Sequence, residues 1–156
     1  MSGSGLVCLQ PNSRCGYLWR MKVNWMLKGA LLAGLSVALG AFAAHGLEKY
    51  LESGIMSERQ MHNFETAARY QMYHALAILL CALLLRQSSA RMLKAAPWLF
   101  SLGILFFSGS LYLLSVRDII GLENWHWLGP VTPLGGLCFM AGWVLLALGS
   151  INRKSS

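Results

Sequence analysis

Tyr70, Gln71 and His74 fall at i, i+1 and i+4 of an apolar run, so a helix there groups a phenol, an amide and an imidazole on one face. His45 ends an earlier apolar run. Ser101, Ser108, Tyr112 and Ser115 trace a helical stripe through a third, with Ser110 beside it, and Thr132 opens a fourth between Pro130 and Pro133. An ionisable side chain inside a membrane span marks a functional site by default. The structural alternative is a neutral imidazole bonded to Tyr or Ser across helices, where such bonds average about 0.6 kcal/mol. No carboxylate or Cys partner stands near His74 in sequence, which favours the structural alternative. The expected polar group is therefore His45, Tyr70, Gln71, His74, Ser108, Ser110, Tyr112 and Thr132, with no catalytic role assigned to any of them.

Other chemistries find less support. Four His (His45, His62, His74 and His126) gather on one side of the expected topology, a ligand type that suits Zn²⁺ or Cu²⁺. Their spacing is irregular, so no metal site and no cofactor are assigned. Phosphate-cradling, dinucleotide, H-E-x-x-H and C-x-x-C patterns are missing from the sequence. Cys81 and Cys138 lie within apolar runs and read as small core hydrophobes. Cys8 and Cys15 would face a reducing cytoplasm, where a structural disulfide is not expected. The apolar runs hold no Asp or Glu, which weakens a resemblance in size to small four-span multidrug exporters.

The elements that must position these groups follow from composition. Of 156 residues, 56% are hydrophobic and 12% charged, and a soluble domain carries about 25% charged residues. The net charge of +7 raises nucleic acid as a partner, but the apolar content displaces that reading. Four apolar runs, at about 29–47, 67–85, 95–116 and 127–151, match the ~20 residues that cross a ~30 Å hydrocarbon core. The fold class is all-α, a four-helix transmembrane bundle. Ser57-Glu58-Arg59-Gln60 reads as a capping box that starts the second helix upstream of its apolar run. Gly46 and Gly54 are expected to break the loop between the first two spans. Small residues at spacings of three, four and seven mark packing faces: Gly29, Ala33, Ser36, Gly40 and Ala43 on the first span, and Gly135, Cys138, Gly142 and Gly149 on the fourth.

Charge sets an expected orientation. One side holds Arg14, Arg20, Lys22, Lys28, Arg86, Arg91, Lys94, Arg153 and Lys154 and no acid; the other holds Lys49, Arg59, Arg69 and Arg117 with six acidic residues. The positive-inside rule then puts both termini in the cytoplasm. Trp25, Trp98, Trp125 and Trp127 sit at span ends as an aromatic belt would. Residues 1–20 lack a helical period and a signal-peptide core, so they read as a disordered tail or a mis-called start. Residues 21–152 form the membrane domain, and 153–156 a basic tail.

Four blocks carry a family resemblance: GAFAAHGLE (residues 40–48), FETAARYQMYHALA (64–77), LFFSGSLYLL (105–114) and TPLGGLCFMAGW (132–143). In this order they resemble the YgdD-like family of small four-span bacterial inner-membrane proteins, catalogued as a domain of unknown function and having a mitochondrial-type eukaryotic relative. The resemblance covers roughly residues 21–152. It implies four membrane helices in the bacterial plasma membrane and offers no activity, substrate or cofactor to carry over. The expected function is a non-enzymatic component of the lipid bilayer that supports envelope integrity or complex assembly, as a homo-oligomer or within a larger membrane complex. A small oligomeric transporter or channel lined by the His/Tyr/Ser faces is the alternative, and a metal- or quinone-linked accessory protein a further one.

Overall fold

The computed structural model describes residues 14–88, 90–121 and 128–151. All regular elements among them are helical. Helix α1 (Arg14–Phe42) runs through a π-helical turn (Ala43–Leu47) into the short α2 (Glu48–Glu52). Helix α3 covers Glu58–Leu84. Helix α4 (Arg91–Gly103) continues through a second π turn (Ile104–Ser108) into α5 (Gly109–Val116), and α6 covers Val131–Ile151. Four stretches are long and apolar enough to cross a membrane: Asn24–Glu52, Glu58–Leu84, Arg91–Val116 and Val131–Ile151.

Each boundary has a local cause. The capping box forms: Ser57 Oγ accepts from Gln60 N–H at 3.3 Å, and Gln60 Oε1 accepts from Ser57 N–H at 2.8 Å. Gly54 turns the chain with φ of +75°, a left-handed value that costs glycine little. Gly46 does not break the chain as expected. It sits inside the π turn, where the wider coil carries the first helix past it. Helix α1 also starts at Arg14, inside the segment expected to be a tail: the stretch up to Lys28 holds no Pro and is rich in Leu, Met, Arg and Lys, which favour helix. At the other end, α6 starts at Val131, next to Pro130 and Pro133, whose missing N–H groups are tolerated in a first turn. Expectations for Cys8, Trp125, His126, Trp127 and residues 1–13 and 152–156 concern positions outside the described residues.

The helices pair in chain order. Helix α1 lies along α3, and α4 with its π turn lies along α6, while α3 also packs on α4 and α5. The main core joins Trp25, Ile78, Cys81, Leu93, Ala96, Phe100, Phe139 and Leu146. A second cluster, Ala43, Leu47, Met56 and Phe64, closes the end that carries Glu48, Glu52 and Glu58. The opposite end carries Lys28, whose ammonium lies 4.6 Å from the Trp25 ring and 5.1 Å from the Trp98 ring.

Glycine sets how closely the second pair approaches. A Cβ added at Gly135 would collide with the backbone N of Phe107. At Gly142 it would lie 2.7 Å from Phe100 Cε1, and at Gly149 3.0 Å from the Leu93 backbone N. Seven residues along α6 thus match seven residues back along the second π turn and α4, and the reciprocal contact of Gly103 with Phe139 falls in the same register. This is the seven-residue repeat of left-handed antiparallel packing, with glycine as the hole for each knob. On the first span, Gly29, Ser36 and Ala43 follow the same period and are buried, Gly29 against Leu79 and Ala43 in the cluster with Phe64 of α3. Ala33 is half-buried, and Gly40 has open space where its Cβ would be, so Gly40 is not a packing residue here. The seam follows the heptad, and positions four residues off it fall on its flank.

Candidate functional site: a histidine-centred aromatic groove

His74 lies ten residues from the end of α3, which at 1.5 Å per residue is about 15 Å in, near the middle of a bilayer core. Its side chain is buried. Trp143 on α6 donates its indole N–H to His74 Nε2 at 3.3 Å, and His74 Nδ1 lies 2.7 Å from the Tyr70 carbonyl oxygen. An indole nitrogen can only donate, so Nε2 is the acceptor and Nδ1 carries the proton that Tyr70 O receives. The ring is thereby the neutral Nδ1–H tautomer, with both nitrogens engaged. Phe139 stacks on it at 3.4 Å between centroids and 7° between planes.

The remaining expected polar residues fall into separate groups. Gln71 bridges three spans: its Nε2 donates to Leu32 O on α1 at 2.9 Å, and its Oε1 accepts from Tyr112 O–H on α5 at 3.1 Å. Ser110 Oγ and Thr132 Oγ1 pair across α5 and α6 at 2.7 Å, and Ser110 also reaches Phe107 O at 3.0 Å. Ser108 is fully buried with no partner for its Oγ, and so is Ser115. Ser101 donates back to Pro97 O at 2.8 Å. His45 sits exposed on the first π turn, away from His74, and His62 is exposed on α3. Among the described residues, no three His, Cys, Asp or Glu side chains gather as a metal cluster.

Beside His74 an open groove of about 610 Å³ runs between α3, the second π turn and α6. Its walls are aromatic: Tyr70 stacks on Phe107 at 4.7 Å between centroids, and Tyr73, Phe139 and Trp143 complete them. Pro133, Gly136 and Met140 line the α6 side. That size lies within the range of small-molecule sites, about 300–1,000 Å³. Trp143, Phe139, Phe107 and Tyr73 are among the lining residues that sequence reasoning missed. The one signal for Trp143 was its N–H, which needs an acceptor wherever the indole lies in hydrocarbon.

The chain has recognisable relatives. A family model described as "Protein of unknown function (DUF423)" matches residues 39–136. A UPF0382 membrane protein of Haemophilus influenzae is 41% identical over 136 residues, covering 86% of this chain and 99% of that protein. The UPF0382 membrane protein YwdK of Bacillus subtilis is 39% identical over 133 residues, 85% of this chain and 98% of that one. The UPF0382 inner membrane protein YgdD of Escherichia coli is 37% identical over 135 residues, 86% and 95% of the two chains. No solved structure matches. With four helices able to span a bilayer and relatives matched over nearly their whole length, the chain is a membrane protein that belongs to the DUF423 family.

Proposed function

We propose that the protein is a non-enzymatic component of the plasma membrane that supports envelope integrity or the assembly of a larger membrane complex. Both termini lie on the cytoplasmic side in this reading. The observation that carries it is the use of the interhelical polar groups. His74, Gln71, Tyr112, Ser110 and Thr132 direct their hydrogen bonds at neighbouring helices, which is how polar side chains hold a bundle together in lipid. They act as structural glue, and the neutral tautomer of His74 leaves neither ring nitrogen free to relay a proton.

Partnership with another chain is supported by the uneven burial of the spans. Only 17% of the most apolar stretch of the first span is buried, against 50% for the second. Helix α1 packs mainly along α3, meets α4 at one end where Trp25 lies against Trp98, and turns the rest of its surface outward. The test is crosslinking in native membranes followed by mass analysis of the complex released in mild detergent. A discrete oligomer or a defined partner is the expected result. A protein that stays monomeric and crosslinks to nothing overturns the reading.

A further inference from the structure

Two hydrogen-bond donors beside the groove have no acceptor among the described residues. The Tyr70 and Tyr73 hydroxyls have no hydrogen-bond partner among the described residues, although both rings line the groove. Tyr70 lies four residues, about 6 Å, from the level of His74 towards the acidic end. A phenol left unpaired at that depth is costly, because lipid tails offer no acceptor. The walls beside these donors are flat π surfaces, and aromatic pairs favour offset stacking on a further planar ring. The groove is open to the lipid: Tyr73 is 56% exposed and Met140 60%.

We infer that this groove binds the head group of an isoprenoid quinone. A quinone ring is planar, carries two carbonyl acceptors and no donor, and arrives through the bilayer on an apolar tail. Each property meets one of the groove: aromatic walls to stack on, two unpaired phenol donors, and an opening on the lipid side. A phospholipid acyl chain supplies neither the ring nor the acceptors at this depth. Binding is reversible and involves no electron transfer, so it is independent of the assembly role proposed above. Trp143 lies at the deep end of the groove, where a bound ring quenches its fluorescence.

The experiment titrates the full chain, in nanodiscs of quinone-free phospholipid, with decylubiquinone and menaquinone-4 while reading tryptophan fluorescence. Saturable quenching that is largely lost in Trp143→Phe is expected. Tyr70→Phe with Tyr73→Phe removes only the two hydroxyls and should weaken binding about tenfold, the effect of ~1.4 kcal/mol. Gly136→Leu plugs the groove: its added Cβ meets only Phe107 Cδ2, at 4.0 Å, so the fold persists and binding should be abolished. Three results overturn the inference. The first is quenching that rises linearly with quinone and ignores Gly136→Leu. The second is unchanged affinity in the double Tyr variant. The third is equal competition by farnesol, which has the tail without the ring and would mark a tail-only site.

Discussion

Trp143 on α6 gives its indole proton to His74 on α3 across 3.3 Å, and this one bond decides which imidazole nitrogen carries hydrogen. It is also a polar link between two helices that otherwise touch little.

Replacing Trp143 with Phe should cost about 0.6 kcal/mol, with about 1.7 kcal/mol as the upper bound, because the lost bond is interhelical and in lipid. His74→Ala should cost more, about 2–4 kcal/mol, since it also leaves a cavity against Phe139 and Phe100. Reversible unfolding in bicelles measures both. Equal losses would show that the ring's packing contributes nothing beyond its bond.

Gln71 and Tyr112 should couple. A double-mutant cycle with Gln71→Leu and Tyr112→Phe should give an interaction energy near 0.6 kcal/mol, and at most about 1.7 kcal/mol. Additive losses would mean the 3.1 Å contact is not a stabilising bond in the bilayer.

Gly135 on α6 should differ sharply from Gly40 on α1. Gly135→Ala should cost about 1–3 kcal/mol by overpacking, because its Cβ would meet the Phe107 backbone, which cannot swing aside. Gly40→Ala faces open space and should be neutral or stabilising by up to about 1 kcal/mol through helix propensity. The same unfolding assay ranks them, and an equal loss at both positions would refute the register.

Orientation has a direct readout. A phosphatase inserted between Glu52 and Ser57 should be active outside the cell, and one fused after Ser156 should be silent there. Activity at the C-terminal fusion reverses the assignment.

The four spans were legible because bilayer thickness acts on the length of apolar runs directly. The capping box at Ser57 is the sharpest case: both of its bonds depend on residues three apart. The glycines at 135, 142 and 149 were legible as a face, but their partners on the third span were not, because a stripe does not name what it meets. Gly40 matched the local pattern and still faces open space, since the seam on α1 follows the seven-residue period through Gly29, Ser36 and Ala43. The two π turns left no mark in composition. At the site, His74 stood out as a rare intramembrane ionisable group, whereas Trp143 lay in a helix apolar on every side. Its partnership with a residue 69 positions away arises only from the crossing of α3 and α6.

The pairing of α1 with α3, and of the α4–α5 segment with α6, has a consequence for how the chain is made. Both pairs join neighbours in sequence, so each is a hairpin whose halves emerge one after the other. The first can close once Leu84 has been synthesised, and the second needs nothing from α1 to find its glycine register. Closure over short chain separations is fast. The final step is then the docking of two preassembled hairpins along α3, where Gln71 and His74 wait with the bonds that join them. A nascent chain stopped between Leu84 and Arg91 would already hold half of the finished protein.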